Sequence, residues 1–173
     1  MYEGKRIYLS IGALDVAGIK DRLDKGFTVV AYEPEEKAYV KYQSVKHQNL
    51  FIFNKAVSDF DGQTVLYDCT ILSQESFGRR SDVEVVSLDS VLDPIKEVHV
   101  LHLNCEGSEI PILMNTKMKN LVKCKRIRVE FHKFVPRFCI TDETVQACVQ
   151  RLGQRFKAKD QHTYHPDYVF LEK

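Results

Sequence analysis

Residues 27–36 read FTVVAYEPEE. Phe27, Val29, Val30, Ala31 and Tyr32 form a short run, apolar on both faces, that ends abruptly at the acid Glu33. Pro34 blocks further strand, and its missing N–H costs nothing in the first turn of a helix, so a helix is expected to open there. A strand apolar on both faces belongs in the middle of a parallel sheet covered by helices. Ligands of such sheets sit beyond the carboxyl ends of the strands. A carboxylate at that place, one strand after a glycine turn, can accept both hydroxyls of a ribose. The stretch therefore predicts an α/β fold with a nucleoside crevice above Glu33.

Upstream, residues 6–12 are strand-like, with Ile7, Leu9 and Ile11 alternating, and they run into Gly12-Ala13. A helical stretch over 16–23 stops at Lys25-Gly26, a lysine and a glycine where a helix end favours them. Strand, glycine, helix, strand in so short a span is a βαβ unit. Gly12 allows a tight turn under a ligand, and by itself it reads equally as a plain connection.

Downstream, residues 34–46 suit a second helix with Ala38, Tyr39, Tyr42 and Val45 on one face. Residues 49–57, NLFIFNKAV, form a third strand, residues 58–62 a turn, and residues 63–67 a short strand. Residues 68–82 are polar without a clear period, either a functional loop or a solvated one. An apolar β-prone run at 83–86 and a brief helix at 87–92 lead into residues 98–113, VHVLHLNCEGSEIPIL. There Val98, Val100, Leu101 and Leu103 build a buried strand ending in Asn104-Cys105-Glu106-Gly107. A helix follows with Ile110, Ile112 and Leu113 inside and Pro111 in its first turn. Glu106 either caps that helix, where the dipole favours an acid, or faces a site.

Residues 123–132, KCKRIRVEFH, are the next strand, with Ile127, Val129 and Phe131 pointing one way and Glu130 and His132 finishing it. A histidine at a strand end is the usual proton carrier near neutral pH, and standing alone it reads rather as a surface residue. Residues 141–153 form a helix with Val145, Val149 and Leu152 inward. Residues 155–161 and 167–171 pair antiparallel around a turn at His165-Pro166. Strands alternating with helices describe an α/β sandwich.

A chain of 173 residues is expected to be one domain, residues 1–173, with a real core. Its 44% hydrophobic and 28% charged residues are ordinary for a globular protein. A net charge of +1 supplies no overall field to recruit nucleic acid or an anionic membrane. No apolar run reaches the eighteen or so residues of a membrane span, and the first ten residues lack a signal-peptide pattern. Five scattered cysteines without a CxxC pair fit reduced thiols in a cytoplasm better than a disulfide frame or a zinc site.

Taken in order, these pieces resemble the FkbM family of S-adenosylmethionine-dependent methyltransferases. The matching pieces are Gly12-Ala13, AYEP at 31–34, KAVSDFDG at 55–62 and a serine-bearing loop about Ser73 and Ser76. SLDSVL at 87–92, LHLNCEGSEIPIL at 101–113 and VEFH at 129–132 complete them. The resemblance implies a three-layer Rossmann-like sandwich around a mostly parallel seven-stranded sheet whose last strand is antiparallel. It implies S-adenosylmethionine as donor and methyl transfer to a hydroxyl of a saccharide or small natural product. Ser10, Gly12 and Ala13 would line the methionine end, and Glu33 with Pro34 would hold the ribose. Asn54, Lys55 and Ala56, with Ser58 and Asp59 beyond, would lie near the adenine. Asn104 and Glu106 would face the transfer site, with Glu130 and His132 on the far wall. The sequence departs from the family at three places. Ser10 stands where the family usually has an aspartate. GALDVAG at 12–18 either closes late at Gly18 or lacks the second glycine of the loop. His102 and Asn104 replace the lysine and aspartate of KxDxEG, and asparagine takes no proton at neutral pH. These departures keep open an alternative, a binding module that retained the fold and lost the chemistry.

Overall fold

The two faces of the first strand set the layers. β1 (Ile7–Ile11) is buried at all five positions. Ile7, Leu9 and Ile11 join the larger apolar core. Tyr8 joins a second one with Ile19, Leu23, Val29, Ala31 and Tyr42. The computed structural model describes residues 4–12, 15–67, 80–132, 140–160 and 167–172. Within them α1 (Val16–Asp24) and α2 (Glu36–Gln43) cover one face of a sheet. The other face packs against α3 (Leu88–Leu92), α4 (Glu109–Asn115), α5 (Met118–Leu121) and α6 (Asp142–Gly153).

The seven-stranded sheet has the order β3-β2-β1-β7-β8-β10-β9. It comprises β2 (Thr28–Tyr32), β3 (Leu50–Phe53), β7 (Val100–Leu103), β8 (Arg126–Glu130), β9 (Phe156–Asp160) and β10 (Asp167–Glu172) beside β1. Its five consecutive strands from β3 to β8 pair parallel. The last strand, β10, inserts between β8 and β9 and is antiparallel to both. The expected sandwich is therefore present, and the chain leaves β1 toward β2 on one side and returns as β7 on the other. Such a topological switch opens a crevice at the carboxyl ends of the two strands.

Two local expectations need correction, and one alternative left open at Gly18 is resolved. The stretch read as one third strand, 49–57, is two. After β3 the chain breaks at Asn54-Lys55, and β4 (Ala56–Ser58) pairs with β6 (Arg80–Ser87) in a separate three-stranded sheet completed by β5 (Gly62–Tyr67). Pro34 does not open the second helix, because the Glu33 carboxylate takes the Glu35 N–H at 2.8 Å and Glu35 becomes the residue before the helix. Gly18 does not close the glycine turn. It lies within α1, its N–H capped by the Asp15 carboxylate at 2.6 Å, so the second glycine of the family loop is missing here. In α6 the buried positions are Val145, Cys148 and Leu152, with Val149 at the core's edge, behind a capping box between Thr141 and Thr144. The turn at His165-Pro166 lies outside the described residues, as do Ala13, Ser73 and Ser76.

Candidate functional site

At the switch point the ends of β1, β2 and β7 are tied together by backbone. The Gly12 N–H donates to the Tyr32 carbonyl at 3.1 Å, and the Asn104 N–H donates to the Ile11 carbonyl at 2.9 Å. Gly12 has φ +80°, and a Cβ there would stand 1.6 Å from the Asn104 carbonyl oxygen. Only glycine lets the two chain segments approach so closely. Above this knot lies a cleft of about 180 Å³ that opens to solvent. Gly12, Glu33, Pro34, Asn104 and Glu106 line it, with apolar walls from Tyr32, Ala56, Val57 and Leu66.

Glu33 ends β2 with only 6% of its surface exposed. Burial is the main cause that pushes its carboxyl up to about 7, against the hydrogen bond from the Glu35 N–H and with the charge of Glu35 adding to the rise. Among the described residues the hydrogen bond from Glu35 goes to Oε1 and none goes to Oε2. The turn that carries it is held from below. The Asn54 amide donates to the Glu33 carbonyl at 2.9 Å and to the Pro34 carbonyl at 3.2 Å.

On the far lip, β7 ends in a turn where Glu106 is the only described non-glycine residue with positive φ, at 51°, followed by Gly107 at 102°. A side chain in the left-handed region costs of order 1–3 kcal/mol and persists only where its surroundings hold it. The holder is Glu109, which is fully buried. Its Oε1 accepts the Cys105 N–H at 2.8 Å and its Oε2 the Gly107 N–H at 3.0 Å. His132 Nδ1 lies 2.9 Å from the same Oε1, and His132 Nε2 lies 3.6 Å from Glu106 Oε1. Burial works against the His132 imidazolium, but the hydrogen bond to Glu109 and the charges of Glu109, Glu106 and Glu130 outweigh it and raise its pKa above the ordinary 6.5. The Cys105 thiol is pushed well up, first by burial and then by Glu109. Next to this group the Asn104 amide donates to Glu130 Oε2 at 3.0 Å.

The model of the methyltransferase FkbM domain matches residues 9–156. The chain belongs to the FkbM methyltransferase family. Family membership carries S-adenosylmethionine-dependent methyl transfer, and S-adenosylmethionine as the cofactor. Solved structures that the chain matches include an rRNA methylase from Streptococcus thermophilus, 11% identical, with 98% of this chain and 87% of that one covered at a TM-score of 0.46. The N-terminal domain of EvdMO1, with SAH bound, is 10% identical over 99% of this chain and 76% of that one, at a TM-score of 0.49. The PH0226 protein from Pyrococcus horikoshii OT3 is 12% identical over 99% and 85%, at 0.44. A comparison with curated proteins found no match.

Of the residues expected in this FkbM domain, Gly12, Glu33, Pro34, Ala56, Asn104 and Glu106 line one cleft. Asn54 touches it through the Glu33–Pro34 turn, and Glu130 and His132 reach it through Asn104 and Glu106. The remaining described ones, Ser10, Lys55, Ser58 and Asp59, do not line it. Ser10 is buried in β1, its hydroxyl donating to the Gly12 carbonyl at 3.1 Å, so it braces the turn from inside. Lys55 is drawn away by an ion pair with Glu84, and the Ser58 hydroxyl donates to Asp59. Sequence reading missed Glu109, although a signal was present. Glu109 shares a helical face with Ile112 and Leu113, and an acid on an apolar face must find partners there. It also missed Val57 and Leu66, which reach the cleft only through the small second sheet.

The residues present fit the donor of the family. The titratable groups lining the cleft include the carboxyls of Glu33, Glu35 and Glu106, and no lysine or arginine lines it among the described residues. A cleft of that charge suits a ligand that carries both a sulfonium and an ammonium.

Proposed function

We propose that this FkbM domain, taken as one unit over residues 1–173, methylates a hydroxyl oxygen of a saccharide or small natural product. The observation that carries the reading is the junction at Asn104. A buried acid that can receive a ribose stands on one side of it, and an acid–imidazole group that can accept a proton stands on the other. Glu33 and Pro34 would hold the ribose of S-adenosylmethionine. Gly12, with Ala13 beyond it, would take the methionine end, braced by Ser10, and Ala56 with Asn54 behind it would border the adenine. The donor's sulfonium supplies an already activated methyl group. What remains for the chain is to place the acceptor, exclude water and remove one proton. His132 Nε2 and Glu106 are the groups proposed to take it, and Glu130 fixes the Asn104 amide between the two halves of the cleft.

Isothermal titration with S-adenosylhomocysteine tests the donor half. Binding by the wild type and loss of binding in Glu33→Ala are expected, and equal affinity refutes the ribose assignment. Turnover of S-adenosylmethionine with a panel of hydroxylated acceptors tests the other half. One observation favours a second reading, a binding module without catalysis. Asn104 stands where the family has an acid and uses its amide as a donor to Glu130. Methyl transfer to any acceptor in the panel excludes that reading. A cytoplasmic setting is supported by the free thiols of Cys105, Cys124 and Cys148. No helix among the described residues is long and apolar enough to cross a membrane.

A further inference from the structure

We propose that Glu109 is the positioning residue of the transfer site. It fixes the tautomer of His132 and the backbone of Glu106 at once, so that the two form a paired proton acceptor facing the substrate hydroxyl. This proposal rests on the methyl-transfer reading for its purpose, but its geometry stands independently. Both oxygens of Glu109 already accept backbone N–H groups, Oε1 that of Cys105 and Oε2 that of Gly107, so this carboxyl stands as an acceptor on both sides. The ring nitrogen 2.9 Å from Oε1 is therefore the one that bears hydrogen, Nδ1–H. In neutral His132 that leaves the lone pair on Nε2, the nitrogen turned toward Glu106 at 3.6 Å. A second-row carboxylate that sets which imidazole nitrogen acts as base is a general device of acid–base sites.

The other half of the role is steric. Glu106 sits between the two amides that Glu109 grips, those of Cys105 and Gly107, so the left-handed backbone at Glu106 is held from both flanks. Without that grip the turn can relax, and the Glu106 carboxylate leaves His132. Among the described residues, the charged groups that raise the proton affinity of His132 include Glu109 on α4, Glu106 in the turn and Glu130 on β8. All three are acids. As the pH rises through its folded pKa, His132 loses its proton and becomes competent as a base. A donor bound in the cleft would supply the methyl group and keep the electron pair of the broken methyl–sulfur bond, and His132 Nε2 would receive the proton that the acceptor hydroxyl gives up as its oxygen takes the methyl. The imidazolium that results is stabilised by Glu109 and returns its proton to solvent.

Nitrogen NMR of protein labelled with ¹⁵N-histidine tests this without any acceptor. There are six histidines, and the His132→Asn variant identifies the signal. The wild type is expected in the Nδ1–H form when neutral, with a titration midpoint above that of free histidine. Glu109→Gln is expected to lower the proton affinity of His132 about tenfold, the low end for losing an adjacent opposite charge. A wild-type Nε2–H tautomer, or a midpoint unmoved in Glu109→Gln, overturns the proposal. If Glu109→Gln fails to fold, the wild-type tautomer and the Glu106→Gln variant still decide. Glu106→Gln is expected to keep the Nδ1–H form and to lower the midpoint less. With an acceptor in hand, Glu109→Gln is expected to lower kcat at unchanged donor KM and to move the acid limb to lower pH, and neither effect should appear on top of His132→Asn. Failure of S-adenosylhomocysteine to bind the wild type would defeat the methyl-transfer reading alone and leave the tautomer result standing.

Discussion

Replacing Glu33 by glutamine separates what this residue costs the fold from what it does for the ligand. The carboxyl is raised from its ordinary 4.5 to about 7, chiefly by burial. Each tenfold change in proton affinity is about 1.4 kcal/mol, so ionising Glu33 in the folded protein costs about 3 kcal/mol. With so little of the residue exposed, solvent screening takes little from that figure. A raised folded pKa means that the stabilising contribution is complete below the unfolded value of about 4.5 and is lost as pH rises through about 7. Glutamine has the same shape, keeps an oxygen for the Glu35 N–H and has no proton to lose. Glu33→Gln is therefore expected to exceed the wild type by less than about 1 kcal/mol at pH 5. At pH 8 it should exceed it by up to about 3 kcal/mol, or about 6–12 °C in Tm for a chain of this size. Donor binding should move the opposite way, weakening at least tenfold, because one of the two acceptors for the ribose hydroxyls has gone. In the wild type, binding near pH 7 should release about half a proton, seen as a buffer-dependent heat in calorimetry. Scanning calorimetry at both pH values and titration with S-adenosylhomocysteine are the assays. An equal change in Tm at pH 5 and pH 8 would refute burial as the cause, and an unchanged affinity would refute the ribose role.

The remaining predictions concern the supports of the same cleft. Gly12→Ala forces a methyl group onto the Asn104 carbonyl at a positive φ, and urea melts should show a loss of at least about 2 kcal/mol. A variant as stable as the wild type would mean that the two strand ends are not so close. Asn54→Ala removes both ties to the Glu33–Pro34 turn. It should cost the fold about 1 kcal/mol and weaken S-adenosylhomocysteine about tenfold by calorimetry, whereas a fold effect alone would confine Asn54 to structure. Asn104→Asp restores the family's acid but sets it against the Glu130 carboxylate in place of the present amide contact at 3.0 Å. Two acids so close resist joint ionisation, so stability should fall by about 1–2 kcal/mol between pH 5 and pH 8, and a flat profile would refute the contact.

Much of the architecture was legible because it follows from periodicity and chain-terminating residues. A strand apolar on both faces, as at 28–32, has no stable place except inside a covered sheet. Lys25-Gly26 stops α1 for local steric and dipole reasons that need no tertiary partner. The order of the acids at strand ends followed from the same reading, which is why Gly12, Glu33, Asn104 and Glu106 meet at one cleft. Other features depend on what lies across space, and no window of sequence holds that information. Asn54 breaks the third strand because its amide finds carbonyls twenty and twenty-one residues away. Lys55 turns from the cleft because Glu84, on a strand of the second sheet, captures it. Glu109 becomes the centre of the far lip only because β8 delivers His132 to a carboxylate on α4. Sequence by itself determined the layers and placed the acids at the mouth of the sheet, since both follow from short-range pattern. The tertiary structure alone decided which acid is buried beside the cleft, which one grips the neighbouring turn and which lysine is spent elsewhere, because a charge takes its surroundings from the partner that burial brings to it.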